Sequence, residues 1–296
     1  MVREDTSVGF VGLGNLGHSM VLNLLDCGWS LTVFDSSTRR SDILTQSGAR
    51  AASSIRDLVD CRTICLAVPD DAAVTGILSG PDGLLRLLAP GQTVIVHSTI
   101  LPETARKLAH EFDKAGVAFL DAPVSGGPDR ARSGDLTLMI GGAATDLDSV
   151  RSLVEDMSAQ VLHLGPVGSG SATKLANQLM MFATLAGTHE ALRLGAAYGV
   201  SPAKVLQAVS SSTGDSWIAR NWGFFDEVAA DYDRFNTPLQ QRPWSKDLWE
   251  VLQAARQAEI VVPLAGLLAQ ILPSLVEEHA NPPKHPAVAA TAEASR

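Results

Sequence analysis

Cysteine is scarce in this chain. Only Cys27, Cys61 and Cys65 occur in 296 residues. The last two are spaced C-x3-C, which is neither a zinc ribbon nor a redox CxxC motif. All three are expected to be small buried apolar residues in a reducing cytosol. Positive charge is also in deficit. Lys and Arg total 23 against 32 Asp and Glu, a formal net charge of −9. That argues against nucleic acid or an anionic membrane as the main partner. It leaves room for small anionic ligands, which respond to local charge. Long apolar runs are missing too. The longest, Ile260 to Leu272, is interrupted by Pro263 and is too short to span a bilayer. The opening residues, "MVREDTS", are charged and lack the apolar region of a signal peptide. "HEALR" at His189 starts like H-E-x-x-H but ends in Arg193, so no zinc site is expected there. No internal repeat, Ser-His-Asp set or Cys-His set stands out.

What the chain does have is alternation. Short apolar strands are expected at Val8–Val11, Ser30–Phe34, Thr63–Val68, Thr93–Val96, Val117–Leu120, Leu136–Ile140 and Gln160–Leu164. Helical stretches such as Asn15–Leu25 lie between most of them. Continuous apolar strands alternating with helices imply a mostly parallel sheet covered on both faces. After Gly170 the strands stop. Lys174–Ala197, Ala203–Ser210, Lys246–Ala258 and Leu264–Glu278 read as helices. The expectation is an α/β domain over 1–165 and an all-α domain over 166–280, with Lys174–Ala197 as its first long helical stretch. The Pro- and Ala-rich stretch 281–296 is expected to be a loosely packed tail.

The first strand runs into "GLGNLG", Gly12 to Gly17. A G-x-G-x-x-G between a strand and a helix is the dinucleotide-binding pattern. Gly12 permits the tight turn. Gly14, without a Cβ, lets a pyrophosphate approach the backbone. Gly17 lets helix and strand pack closely. The first helical residues, Asn15 and Leu16, bring free N–H groups and the positive end of the helix dipole. Asp35 ends the second strand, at about the offset of a residue that binds the adenosine ribose. A carboxylate accepts bonds from a 2′-OH and repels a 2′-phosphate, which favours NAD over NADP. Arg39 and Arg40 follow closely and are able to neutralise a phosphate.

With these motifs in view, the chain resembles the β-hydroxyacid dehydrogenases. That family includes 3-hydroxyisobutyrate dehydrogenase and the tartronate and glyoxylate/succinic semialdehyde reductases, with 6-phosphogluconate dehydrogenase more distant. The matching segments are "GFVGLGNLGHSMVLNLL" from Gly9, "HSTILPETARKLA" from His97, "DAPVSGGPDRARSGDLTLMIGG" from Asp121, "GPVGSGSATKLANQL" from Gly165, and "KDL" from Lys246. Their order and spacing follow the family's, over most of the chain. The resemblance implies an α/β Rossmann-type N-terminal domain and an all-α C-terminal domain joined by a long helix, with pairing into dimers or tetramers.

The residues allow the chemistry that the resemblance implies. Lys174 and Asn177 share one face of a largely apolar helix. A lysine buried there has its charged form disfavoured and is suited to take a proton from a hydroxyl. By resemblance Lys174 is the catalytic lysine and Asn177 positions the substrate. Ser125, Gly126 and Gly127 offer consecutive backbone N–H groups and a hydroxyl, an anion-binding concavity. By resemblance they bind the substrate carboxylate. Ser98 and Thr99 lie at the carboxyl end of a strand, where open α/β sheets bind ligands. The resemblance puts them beside the nicotinamide, with Val68 and Pro69 lining the same crevice. Lys246 is implied near the nicotinamide and substrate.

Two features depart from the family pattern. His97 stands where many members have another residue; it is either a structural group at a strand end or a second proton-transfer group. Leu239 occupies the position of a usual aromatic, which leaves Trp217 and Trp244 as either pocket wall or core. The reading is an NAD-dependent dehydrogenase of a small β-hydroxy acid. An NADPH-linked aldehyde or imine reductase and a non-catalytic dinucleotide-binding protein stay open as alternatives.

Overall fold

The computed structural model describes residues 7–234 and 237–280. The expected tail, 281–296, lies outside the described residues. In chain order the first elements are β1 Ser7–Val11, α1 Asn15–Asp26, β2 Ser30–Phe34, α2 Thr38–Thr45, β3 Arg50–Ala51, β4 Thr63–Leu66, α3 Asp71–Ser79, β5 Thr93–Val96, α4 Pro102–Asp113 and β6 Ala118–Asp121. Then come β7 Val124–Ser125, α5 Gly127–Arg132, β8 Leu136–Gly141, α6 Ala144–Ser149, α7 Arg151–Asp156 and β9 Ser158–Gly165. The rest is helical: α8 Ser169–Ala197, α9 Pro202–Val209, α10 Trp217–Arg220, α11 Phe224–Arg234, α12 Pro243–Gln257 and α13 Pro263–Ala280.

The described strands form one nine-stranded sheet in the order β3-β2-β1-β4-β5-β6-β8-β7, with β9 beside β8. From β3 to β6 every pairing is parallel. The pairings of β8 with β6 and β7 are antiparallel, and β9 runs parallel to β8. Alternate residues feed two cores, as the two-residue period of a strand requires. Val8 and Phe10 of β1 and Cys65 of β4 join Met20, Leu24 and Val154 on one face. Val11, Ile64, Leu66, Val94 and Val96 join Val74, Leu78, Leu108 and Phe112 on the other. That burial on both faces explains why these strands read as unbroken apolar runs.

Winding reverses between β1 and β4. The chain goes outward through β2 to β3, then returns to β4 and continues through β5 to β6. Register keeps the carboxyl ends level: Val11 faces Phe34 and Leu66, Leu66 faces Val96, and Val96 faces Asp121. The loops after these strands therefore leave along one edge, and the reversal point on that edge is where such sheets take ligands.

The described residues form two compact units, one of residues 7–180 and 247–262, the other of 181–246 and 263–280. In the second, Trp244 is fully buried and its Nε1 donates to Glu277 Oε1 at 3.0 Å. Arg242 is also buried. It donates to both Glu277 oxygens at 3.0 and 3.1 Å, to Asp233 at 2.6 Å and to the Thr237 carbonyl at 3.1 Å. Trp244 is thus a core residue, while Trp217 and Leu239 stay partly exposed.

Several local expectations need correction. The fourth strand stops at Leu66, so Val68 belongs to the loop beyond it. Cys61 and Cys65 are buried, but Cys27 is only half-buried. Helices α10 and α11 were not anticipated. Helix α8 starts at Ser169, five residues before the expected Lys174. A glycine-rich stretch disfavours helix locally; here a distant group overrides it. Asp121, at the end of β6, accepts hydrogen bonds from the backbone N–H of Gly168 at 2.8 Å and of Ser171 at 2.7 Å. Those N–H groups lie where a helix start has no backbone partners. Close approach is possible because residue 170 is glycine. A Cβ there would stand 2.3 Å from the Met139 carbonyl and 2.6 Å from that of Asp121.

This packing generates a test by contrast. Gly170→Ala is expected to destabilise the protein by about 1–3 kcal/mol, because backbone cannot move aside cheaply. Gly187→Ala, further along the same helix with nothing within 4 Å of the added methyl, should be neutral or stabilising by up to about 1 kcal/mol. Thermal unfolding of both variants measures the difference; equal midpoints would contradict the docking of α8 on the sheet.

Candidate active site

Start at the glycine turn. Gly12 has φ +91°, and a Cβ on it would lie 2.4 Å from the Ala67 carbonyl and 2.7 Å from Val68 Cγ1. The loops after β1 and β4 thus touch at the winding reversal. A Cβ on Gly17 would lie 2.0 Å from the Gly12 carbonyl. Gly14 differs: nothing lies within 4 Å of its added Cβ. Two glycines serve the protein's own packing, and the third opens a face. Gly14 is also the N-cap of α1, with no side chain capping it. The first N–H groups of α1, from Asn15 onward, are therefore placed to meet an anion. The Leu16 side chain packs into the core beneath.

Asp35 is buried at the end of β2. Its Oδ2 accepts from Leu13 N at 2.8 Å, and its Oδ1 from Ser37 N at 2.8 Å. Arg40 Nη1 lies 3.5 Å from Oδ2; Arg39 is exposed. A carboxylate has about four lone-pair sites, so two backbone bonds leave capacity for a ribose hydroxyl. The same bonds hold the glycine turn at a fixed distance from β2.

Further along the edge, Ser98 is buried and its Oγ accepts from Val68 N at 2.8 Å. That hydroxyl fixes the loop carrying Val68 and the exposed Pro69; Thr99 beside it is half-buried. His97 is fully buried against Phe10, with its Nδ1 2.9 Å from the Ala122 carbonyl. A carbonyl only accepts, so Nδ1 carries the hydrogen. Burial lowers the ring's pKa from 6.5 to about 4, so the imidazole is neutral at ordinary pH. Its bond ties the end of β5 to the segment that leads into Ser125. That segment pairs with β8, Ser125 opposite Thr137, then turns through Gly126 at φ +142° and Gly127 at φ +78° into α5.

Asp121 brings α8 to the same edge. Burial raises its carboxyl pKa, and the N–H bonds from Gly168 and Ser171 oppose that rise. Lys174 follows one turn later and is buried, 8% exposed. Its Nζ donates to Gln178 Oε1 at 2.9 Å. Asn177, half-buried, donates to the same oxygen at 3.3 Å. Gln178 Nε2 in turn donates to Asp247 Oδ2, on α12, at 2.5 Å. The first unit thus places the glycine turn, Asp35, Val68 and Ser98 at the carboxyl ends of its strands, and Asp121 ties the start of the helix that carries Lys174 and Asn177 to the end of β6. Lys246 sits half-buried on α12 and belongs to the second unit.

Sequence reading missed Gln178, Asp247 and the capping role of Asp121. Gln178 had a signal, since it stands four residues after Lys174 on the same helix face. Asp121 and Asp247 fall inside matching segments, but nothing local assigns them partners 47 and 69 residues away. In the second unit the His189 ring packs edge-on against Trp222 and His279. Burial lowers the His189 pKa to about 4. Among the described residues no group of three His, Cys, Asp or Glu side chains is placed to hold a metal.

Known proteins share this architecture. A family model described as the NAD binding domain of 6-phosphogluconate dehydrogenase matches residues 7–165. A second, described as NAD-binding of NADP-dependent 3-hydroxyisobutyrate dehydrogenase, matches residues 168–291. The chain is 34% identical over 276 residues to an NAD-dependent L-serine dehydrogenase of Pseudomonas aeruginosa, covering 92% of each. It is 35% identical over 274 residues to a 3-hydroxyisobutyrate dehydrogenase of the same organism, covering 91% of this chain and 92% of the relative. Among solved structures, the Mycobacterium tuberculosis 3-hydroxyisobutyrate dehydrogenase with L-serine superposes with a TM-score of 0.79 at 26% identity, over 93% of this chain and 95% of that one. An imine reductase from Pseudomonas sp. shares the fold at 21% identity, with a TM-score of 0.65 over 90% of this chain and 92% of its own.

Two expectations follow from the geometry. Gly14→Ala should leave thermal stability nearly unchanged yet weaken NADH binding by about tenfold or more, a loss of roughly 1.4 kcal/mol or greater. Gly12→Ala should instead destabilise the fold. Fluorescence titration with thermal unfolding separates the two; full NADH affinity in Gly14→Ala would remove the pyrophosphate from that face. The second expectation concerns acid. The folded pKa of His97 is depressed, so its contribution to stability is complete above about 6.5 and is lost as pH falls toward about 4, because the unfolded chain takes up a proton that the folded one refuses. Between about pH 7.5 and about pH 5 the loss should be about 2 kcal/mol, and His97→Asn should remove that part of the acid sensitivity. Urea unfolding at the two pH values reads it directly.

Proposed function

Because the chain belongs to the 3-hydroxyisobutyrate dehydrogenase family of NAD(P)-dependent β-hydroxyacid dehydrogenases, we propose that it moves a hydride between NAD and a small β-hydroxy acid of the 3-hydroxyisobutyrate kind, or its semialdehyde. One observation carries the reading: a buried lysine, Lys174, on a helix whose start is pinned by Asp121 to the ligand-binding edge of a dinucleotide-type sheet.

The residues fit a dinucleotide. The open face at Gly14 and the uncapped start of α1 suit a pyrophosphate. Asp35 suits a ribose carrying a free 2′-OH, and its negative charge opposes a 2′-phosphate. This favours NAD, and the similar L-serine dehydrogenase is named as NAD-dependent. Val68, Pro69, Ser98 and Thr99 border the crevice beyond. Lys246 joins the cofactor set on the family pattern alone.

When bound, the nicotinamide accepts or returns the hydride. The chain's residues supply position and proton transfer. The turn of Ser125, Gly126 and Gly127 holds the substrate carboxylate through backbone N–H groups and a hydroxyl. Asn177 orients the hydroxyl-bearing carbon. In oxidation the hydroxyl O–H bond breaks, its proton goes to the neutral Lys174 amine, and the C–O bond becomes a carbonyl as the hydride leaves carbon. In reduction the Lys174 ammonium returns the proton to the new alkoxide. Two thiols buried and none in a disulfide suit a reducing compartment such as the cytosol. Pairing of copies through the second unit is part of the reading, supported by the exposed Leu194, Tyr198, Leu264 and Leu267 of that unit.

The test is NADH formation across a panel of small hydroxy acids that includes 3-hydroxyisobutyrate and L-serine. At least one should turn over, with NAD preferred to NADP. Lys174→Ala should lower kcat by about 10²–10⁴-fold with NADH affinity unchanged. Oxidation by the parent should rise with pH and level off, and reduction should fall over the same range; the variant should lose both trends. Full activity in Lys174→Ala would take the proton-transfer role from this residue. No turnover of any hydroxy acid would favour a binding protein.

A further inference from the structure

The proposed chemistry leaves a buried side chain next to Lys174 without a role. Gln178 is 4% exposed and stands between two buried groups of opposite charge, Lys174 and Asp247, at 8% and 3% exposure. Its Oε1 accepts from Lys174 Nζ at 2.9 Å, and its Nε2 donates to Asp247 Oδ2 at 2.5 Å. An ionised carboxylate only accepts, and an ammonium only donates. Asp247 therefore fixes which end of the amide faces which neighbour. The oxygen must face the lysine.

We propose that Gln178 is a positioning residue that couples Lys174 to the buried Asp247 carboxylate and so sets when the lysine holds its proton. This rests on the acid–base role of Lys174 given above. The geometry explains why an amide stands there. A carboxylate at 178 would pair directly with the ammonium and oppose release of its proton. An apolar side chain would leave the ammonium without that acceptor and would bury Asp247 without the amide donor, each costly in a poorly hydrated site. The amide transmits part of the Asp247 charge through two aligned hydrogen bonds. Oε1 can accept from the neutral amine as well as from the ammonium, so the lysine nitrogen keeps its place through a proton-transfer cycle. Asn177 shares that acceptor at 3.3 Å, which links the substrate-orienting amide to the same anchor.

The charged and titratable groups on the surrounding elements are few. Asp121, at the end of β6, accepts from the N–H of Ser171, one turn before Lys174. His97, at the end of β5, has its pKa lowered by burial to about 4. On α12, Asp247 is preceded by the half-buried Lys246 and followed one turn later by the buried Glu250. Of these, Asp247 is the group that the amide joins to the lysine.

Competitive labelling of the full chain with acetic anhydride, read by mass spectrometry, gives the pH at which Lys174 becomes reactive without requiring turnover. Gln178→Leu and Asp247→Asn should each lower that midpoint by about one pH unit, and Gln178→Glu should raise it by about one unit or more, because an opposite charge in direct contact favours the charged lysine. The pH profile of kcat should move in the same directions, while NADH affinity stays constant. A structural defect would not shift the midpoint in opposite directions for Leu and Glu. If Gln178→Leu fails to fold, the Asp247→Asn and Gln178→Glu pair still gives opposite expected signs. An unmoved midpoint in folded variants overturns the coupling, even if Lys174→Ala abolishes turnover. Shifted midpoints with no activity loss in Lys174→Ala would keep the coupling and overturn the acid–base role instead.

Discussion

The two hydrogen bonds that the Asp121 carboxylate accepts from the start of α8 hold the site together. Asp121 terminates a central parallel strand, and its carboxylate caps a helix that begins 48 residues later. The bond set fixes where Lys174 stands relative to the sheet edge, because the helix is stiff and the lysine follows within one turn. The cost of burying that carboxylate is visible in its raised pKa. Two short N–H bonds and the positive end of a helix offset it.

The same device occurs at the other end of the crevice with a different purpose. Asp35 also terminates a parallel strand and also accepts two backbone N–H groups. There it holds the glycine turn rather than a helix start, and α1 is left without a side-chain cap. One helix start at this edge is thus capped by a carboxylate, and the other has no side-chain cap. On the proposed function that asymmetry separates a cofactor end from a lysine end. Between them Ser98 and His97 act as spacers, each spending a polar side chain on a backbone group of a neighbouring loop.

Two buried cations are held in different ways in the two units. Arg242 in the second unit engages Glu277, Asp233 and a carbonyl, with Trp244 beneath it. Lys174 in the first is joined to Asp247 through an amide. On the proposed function this difference matters. A directly paired guanidinium stays charged and holds helices together, whereas a lysine separated from its counter-charge by a neutral amide can still exchange a proton.

By itself the sequence determined the continuous apolar strands, the glycine turn with Asp35 behind it, and the change to helices after residue 170. These are local signals: strand burial on both faces, the steric demands of Gly12 and Gly17, and helical spacing are written within a few residues of one another. Lys174, Asn177 and the Ser125–Gly127 turn stand out in the sequence through their order along the chain; the fold ties the start of the lysine's helix to the end of β6 and pairs Ser125 with β8. The tertiary structure alone decided where α8 begins, that Gly14 faces open space while Gly12 does not, that His97 is a buried neutral tie, and that Gln178 and Asp247 stand behind the lysine. Each of these depends on groups brought together from distant parts of the chain. Asp121 reaches Gly168 and Gln178 reaches Asp247 only because parallel strands end level and a helix returns to that edge. No local preference encodes such a meeting; burial and hydrogen-bond satisfaction in the folded chain do.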